Sequence, residues 1–275
     1  MPSTTRSVPV PGGALHAVTE GHGPPIVLAH AGIADHRSWD GLVPFLVDAG
    51  YRAVRYDTRG WGRSTTDDVE YSNRADLRAV LDAFGIERAA LVGNSRGAMI
   101  CLDTILESPD RAIAFAWVGG GIGGFEVEPS PDELALFDRM AAAEEACDGE
   151  AVADIDVALW VDGPGQPPTR VPAWIRDLVH EMDRPLYDRD RIMGTSLPLE
   201  PPAIDRLGEI RLPVVAVVGA LDTSITLAAS TRLEAGVAGA RRVVLPDAAH
   251  MVGMEAPERL AGLIVDLVRP LGTWA

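Results

Sequence analysis

Lysine is missing altogether: all 24 basic side chains are arginine. Without a lysine amine, Schiff-base chemistry and a Walker-type phosphate lysine are both excluded. Cysteine is almost as scarce. Cys101 and Cys147 are the only two, and their spacing suits neither a metal nor a redox pair. Cys101 falls in an apolar helical pattern, where a buried and inert thiol is the expectation, so no disulfide is predicted. Positive charge is outnumbered, 24 basic against 40 acidic residues for a net charge of −16. Such a surface repels phosphate backbones and anionic lipid, so neither nucleic acid nor a membrane is an expected partner. No apolar run approaches the roughly 20 residues needed to cross a bilayer. The N-terminal stretch MPSTTRSVPVPGG has no apolar core of the signal-peptide kind, and a cytoplasmic location is the expectation.

What remains is ordinary globular composition, 47% apolar and 23% charged over 275 residues, enough for one large domain with an inserted lobe. Short apolar runs bounded by Gly, Pro or Asp alternate with longer helical patterns, the signature of βαβ units around a mostly parallel sheet. The runs predict strands over Pro25–His30, Arg52–Tyr56, Ala89–Val92, Ala112–Gly119, Pro213–Gly219 and Arg242–Leu245. An earlier strand pair should precede residue 20, turning at Pro11-Gly12-Gly13. Helices are predicted over Trp39–Ala49, Asn73–Phe84, Arg96–Glu107, Leu227–Ala235 and Pro257–Val268. From Gly120 to about Leu207 strand-like runs vanish, and Pro, acidic residues and helical patterns take over. The reading is a core of residues 1–121 and 207–275 with a helical cap over 122–206, since unstructured loops of that length are rare inside a domain.

The strongest local signal is Ala89-Ala90-Leu91-Val92-Gly93-Asn94-Ser95-Arg96-Gly97-Ala98, an apolar strand that runs through G-x-S-x-G into a helical pattern. A Ser on so sharp a turn adopts a strained backbone, and the residues two before and two after must lack bulk. Gly93 and Gly97 stand there. The bland alternative, a Ser that only caps a helix, predicts no matching acid or base downstream. Both are present. Asp222 follows the buried run Val214–Val218, and His250 follows the last strand through Pro246-Asp247-Ala248-Ala249. Both fall at the C-terminal sheet edge, where open α/β sheets collect their sites. A neutral serine is a poor nucleophile and needs a base; imidazole titrates nearest neutrality, and it needs an acid to fix its tautomer. Ser95, Asp222 and His250 come in the chain order that this elbow motif carries.

On these motifs the chain resembles the α/β-hydrolase superfamily over nearly all its length apart from the cap. Leu28-Ala29-His30-Ala31-Gly32-Ile33 is similar to its oxyanion loop, and Asp57-Thr58-Arg59-Gly60-Trp61-Gly62-Arg63-Ser64 to its D-x-R-G-x-G-x-S turn. The resemblance implies an oxyanion hole formed by the backbone N–H groups of Gly32 and Arg96, with Ile33 in reserve for the first because Ala31 stands where a Gly is commoner. It implies no cofactor and no metal. The expected chemistry is two-step acyl transfer from Ser95 on a small ester or lactone, similar to enol-lactonases, small esterases and cofactor-free haloperoxidases. Carbon–carbon bond hydrolysis or perhydrolysis on the same triad is the alternative; carbon–carbon hydrolases of this fold usually carry a Trp after the catalytic His, and Met251 stands there. Ser at the nucleophile position sets the chain apart from haloalkane dehalogenases and epoxide hydrolases, and the absence of an HGGPG loop from proline iminopeptidases. A receptor-like binder with a retained triad is the alternative from another class.

Other residues receive plainer expectations. His30 should be structural, Asp247 a weaker rival to Asp222, and Asp103, Glu144 and Glu145 parts of solvated helix faces. Arg96 should pair with a neighbouring acid, with a substrate carboxylate as the sharper alternative. Trp160, Trp174, Met182 and Tyr187 of the cap are expected mainly in its core, with a substrate pocket as the other use. The sequence leaves homo-oligomers open.

Overall fold

The computed structural model describes residues 3–274. Two N-terminal strands, β1 (Thr4–Val10) and β2 (Gly13–Glu20), form an antiparallel hairpin. Gly12, at φ 70°, supplies the left-handed residue of its turn. The chain continues through β3 (Pro25–Ala29), α1 (Val43–Asp48), β4 (Arg52–Tyr56), the short strands β5 (Thr65–Thr66) and β6 (Glu70–Tyr71), α2 (Asn73–Ala83), β7 (Ala89–Asn94), α3 (Arg96–Glu107) and β8 (Ala112–Val118). Then come α4 (Pro131–Glu145), α5 (Gly149–Asp156), a π-helical turn over Val157–Asp162, α6 (Ala173–Asp183) and the two-residue β9 (Thr195–Ser196). The core resumes with β10 (Val214–Gly219), α7 (Ser224–Gly236), β11 (Arg241–Leu245), α8 (Val252–Glu255) and α9 (Pro257–Val268).

Among the described residues nine strands make one sheet, in the order β1-β2-β4-β3-β7-β8-β10-β11, with β5 joined to β2. From β4 to β11 every neighbouring pair is parallel. Parallel strands are covered on both faces, which is why β3, β10 and β7 as far as Gly93 read as apolar runs and all three strands are buried at every residue. Val27, Leu91, Phe115 and Ala216 face α2, α3 and α7. Ile26, Leu28, Val92, Ala116 and Val217 face α1 and α9. Each fully buried Leu, Ile or Val contributes roughly 1.5–3 kcal/mol relative to exposure. A third cluster holds Val157, Val161, Ile175, Val179 and Met182 against Ala31, Ile33, Met251 and Met254. The segment between β8 and β10 is thereby seated on the loops that follow β3 and β11.

Two differences from the sequence reading concern small elements. The helix expected over Trp39–Ala49 is a 3-10 turn at His36–Trp39 followed by the shorter α1, because Pro44 belongs in a first turn and removes the N–H that a longer helix would need. Strand structure does not vanish after residue 120: β9 pairs with β6, a contact too short to leave a periodic trace. No helix among the described residues is long and apolar enough to cross a membrane.

Candidate active site

Ser95 joins the buried β7 to α3 with φ 54° and ψ −118°, a left-handed backbone that costs a non-glycine residue about 1–3 kcal/mol. Its flanking glycines show why the turn closes. A Cβ on Gly93 would lie 2.4 Å from the Gly97 carbonyl carbon, and one on Gly97 would lie 2.1 Å from the Ala29 carbonyl oxygen. The Ser95 N–H donates to the Val118 carbonyl at 2.9 Å, which ties the elbow to the end of β8.

The residue after β8, Gly119, lies beside both Asp222 and His250. A Cβ there would stand 3.2 Å from Asp222 Oδ2 and 3.4 Å from His250 Nδ1. Asp222 is buried beyond β10, and its Oδ1 accepts the Thr223 N–H at 2.7 Å. The His250 Nδ1–H donates to the Asp222 carboxylate, 2.9 Å from Oδ2 and 3.0 Å from Oδ1. That bond fixes the tautomer and leaves Nε2 free to accept a proton. Among the described residues no hydrogen bond links Ser95 Oγ to the imidazole; catalytic contacts commonly tighten only when substrate binds. Asp247 is turned elsewhere, paired at the surface with Arg259 at 2.8 Å.

Around the elbow, the N–H groups of Gly32 and Ile33 take no hydrogen-bond acceptor among the described residues, and the Gly32 carbonyl accepts the Trp61 indole N–H at 2.5 Å. Arg96 opens α3, so its N–H has no partner within the helix. His30 is fully buried, donates from Nδ1 to the Ala31 carbonyl at 2.7 Å and accepts the Thr58 N–H at Nε2. Burial lowers its pKa to about 4, so it is a neutral brace of this loop. Donor atoms of His16, His36 and Asp57 lie within 4.8 Å of one another. Yet Asp57 already accepts the His36 N–H and Nδ1–H on one oxygen and the Arg63 N–H on the other. These contacts hold the turn after β4 rather than leave carboxylate lone pairs for an ion.

Two expectations fail here. Arg96 pairs with no acid: its guanidinium donates to Thr58 Oγ1 at 2.5 Å and Asn73 Oδ1 at 3.3 Å, and it stacks 3.8 Å from the Trp61 ring centre. The acids nearby are already taken, Asp76 by Arg59 and Glu107 by Arg74. Asp103 does not belong to a solvated face. It is half-buried, its Oδ1 has no partner among the described residues, and burial pushes its pKa up to about 6. Glu144, Glu145 and Cys147 are exposed and Cys101 is buried, whereas Trp174 is more than half exposed and so lies outside any core of the segment between β8 and β10.

Three contributors escaped the sequence reading. Asn94 is buried, and its side-chain amide donates to the Val118 and His250 carbonyls at 3.1 and 3.2 Å, bridging elbow and His loop. Glu133, in the capping box of α4, accepts the Ser224 N–H at 2.5 Å just past Asp222. Arg170 pairs with buried Glu255 at 2.6 Å, and Glu255 accepts the Ala249 N–H at 3.1 Å, next to His250. A polar residue inside the buried β7 run was a legible signal for Asn94. The other two link positions 91 and 85 residues apart, and nothing local marks them.

A family model described as "Alpha/beta hydrolase family" matches residues 26–263. The chain belongs to the alpha/beta hydrolase family. Within it, a 2-hydroxy-6-oxo-6-phenylhexa-2,4-dienoate hydrolase from Comamonas testosteroni is 27% identical, covering 93% of this chain and 91% of the relative. A 2-hydroxy-6-oxononadienedioate/2-hydroxy-6-oxononatrienedioate hydrolase from Paraburkholderia phymatum is 29% identical, covering 88% and 86%. Among solved structures, the enol-lactonase from Burkholderia xenovorans superposes with a TM-score of 0.75 at 24% identity, covering 96% of this chain and all of that one. That last likeness is one of fold.

Proposed function

We propose that this alpha/beta hydrolase uses Ser95 as nucleophile, His250 as base and Asp222 as orienting acid, and that the bond it cleaves is a carbon–carbon bond beside a ketone. The observation that carries the triad is the 2.9 Å bond from the His250 Nδ1–H to buried Asp222, set at one sheet edge with the strained Ser95. Ser95 Oγ attacks the carbonyl as Nε2 takes its proton, and the amides of Gly32, or Ile33, and Arg96 receive the oxyanion. The imidazolium then protonates the departing group, and water, activated by the same imidazole, releases the acyl fragment as a carboxylate. No cofactor enters the sequence.

The choice of bond rests on the curated relatives. Their names describe dienoates with a ketone at carbon 6 and no ester. The enol must first place a proton on carbon 5 and become the carbon-2 ketone; hydrolysis then cuts beside the carbon-6 ketone, and the electron pair of the leaving carbon passes through the carbon 3–4 double bond to the carbon-2 oxygen. This reading displaces the ester or lactone favoured by the sequence alone. The ester keeps one observation in its support, Met251 in place of Trp after His250, buried in the cluster beneath the cap.

A fluorophosphonate probe tests the triad. Stoichiometric labelling of wild type that is lost in Ser95→Ala supports it, whereas folded wild type that takes no label favours a binding protein. Incubation with 2-hydroxy-6-oxo-6-phenylhexa-2,4-dienoate tests the bond: benzoate release at a rate above that on p-nitrophenyl esters and lactones supports carbon–carbon cleavage. Turnover of esters alone would overturn it.

A further inference from the structure

Arg96 is a cation in search of an anion. A half-buried guanidinium without a carboxylate partner loses hydration that no counter-charge restores, and burial accordingly lowers its proton affinity. Two of its five N–H donors are used, by the neutral oxygens of Thr58 and Asn73, and the Tyr71 hydroxyl stands beside it. The indole of Trp61 covers one face of the guanidinium at 3.8 Å and fixes its plane, the arrangement that lets the edge present two parallel donors. The plane is anchored in turn, because the same indole donates to the Gly32 carbonyl.

Position decides what such a group is for. Arg96 Cβ and Cδ both lie 3.8 Å from where a Gly32 Cβ would stand, so the side chain runs beside the oxyanion loop. Arg96 lines a cavity of about 480 Å³ together with Asn73, Arg74, Met99, Asp103, Leu197 and Pro202. Asp103, whose carboxyl burial holds up at about 6, is still largely ionised at neutrality, and the cations that face it are Arg74 and Arg206 rather than Arg96. Resting on the reading of Ser95 as nucleophile, we infer that Arg96, stacked on Trp61 and flanked by Asn73, is a specificity residue that binds a carboxylate of the substrate, one arginine side chain away from the carbonyl under attack. Substrates are then short acids whose scissile carbonyl and carboxylate belong to one molecule.

A purely structural Arg96, bracing Thr58 and through it His30, would affect every substrate alike, so the test compares two that differ only in charge. They are 4-nitrophenyl hydrogen adipate, a free carboxylate, and 4-nitrophenyl methyl adipate. Wild type should favour the acid in kcat/KM by about tenfold or more, although a net charge of −16 works against any anion. Arg96→Gln should erase the ratio and Arg96→Lys keep part of it, since an ammonium lacks the fork. Where Arg96→Gln fails to fold, Asn73→Asp supplies an internal carboxylate and should erase the ratio as well. A wild-type ratio of one or less, or a ratio unchanged by these substitutions, overturns the inference while leaving the hydrolase intact. Calorimetry on Ser95→Ala separates the two readings without turnover. Adipate should bind about tenfold more tightly than neutral adipamide, and the difference should vanish in Ser95→Ala/Arg96→Gln. If neither ester turns over yet adipate binds in this way, the anion site stands and the esterase activity falls; if the two ligands bind alike, the anion site falls.

Discussion

The indole of Trp160 lies 4.6 Å, centre to centre, from the imidazole of His250. One ring comes from the π-helical turn of the inserted segment and the other from the loop after β11, 90 residues later along the chain. π-Helical turns recur at functional sites because the extra residue re-aims a side chain. Here the turn also brings the Trp160 indole N–H to Asp156 at 3.0 Å, so the ring is held at its edge as well as by its tilted contact with the imidazole.

Trp160→Ala should therefore lower kcat/KM by about two- to tenfold, of the order of an aromatic pair, with a smaller effect on Tm because Trp160 is only half-buried. Trp160→Phe should recover much of the loss. Steady-state kinetics beside thermal denaturation checks both; equal activity in the Ala variant would show that the Trp160 ring does not order His250.

Asp222→Asn should fold and lose roughly three to four orders of magnitude in kcat, because the amide favours the wrong tautomer. Asp247→Asn should change little, since its partner Arg259 lies at the surface. Full retention by the first variant, or collapse in the second, would move the acid to Asp247.

Asp183 is fully buried, neither of its oxygens has a partner outside the Asp156 carboxyl beside it, and burial with that neighbouring charge raises its pKa to about 9. Asp156 is also raised by burial and accepts the Tyr187 hydroxyl at 2.6 Å. A folded-state pKa above the unfolded value binds the proton more tightly in the fold. The stability it brings is complete below about pH 4, where the unfolded carboxyl is also protonated. That stability declines as pH rises toward about 9. Asp183→Asn, a permanent mimic of the neutral acid, should flatten this decline. Tm measured from pH 5 to 9 reads it directly: the variant should gain on wild type as pH rises, and parallel curves would refute the assignment.

Gly97→Ala should be severe, because its methyl would lie 2.1 Å from a backbone oxygen of β3 that cannot move without breaking the sheet. A loss of about 3 kcal/mol or more, or failure to fold, is expected. Gly165→Ala, at an open turn where a Cβ meets nothing, serves as the comparison and bears only its positive φ. Chemical denaturation of the two variants orders them.

The placement of Ser95, Asp222 and His250 beyond their strand ends was legible because each depends on local chain physics. A buried parallel strand must be apolar throughout, its end must turn, and a tight turn must be glycine-flanked, so Val92-Gly93-Asn94-Ser95 announces both an element and a residue lifted from its edge. The same held for β10 ahead of Asp222 and for the limits of α3 and α9. Tertiary structure alone decided what surrounds them. Whether Arg96 meets an acid depends on Arg59 and Arg74 having claimed Asp76 and Glu107 first. Whether Trp160 is core or site depends on one π-helical turn of the cap, and whether the acid and His loops are tied down depends on Glu133 and Arg170. Periodicity records which way a side chain points within its own element. Competition among charges for partners is settled only in three dimensions, where residues distant along the polymer become neighbours.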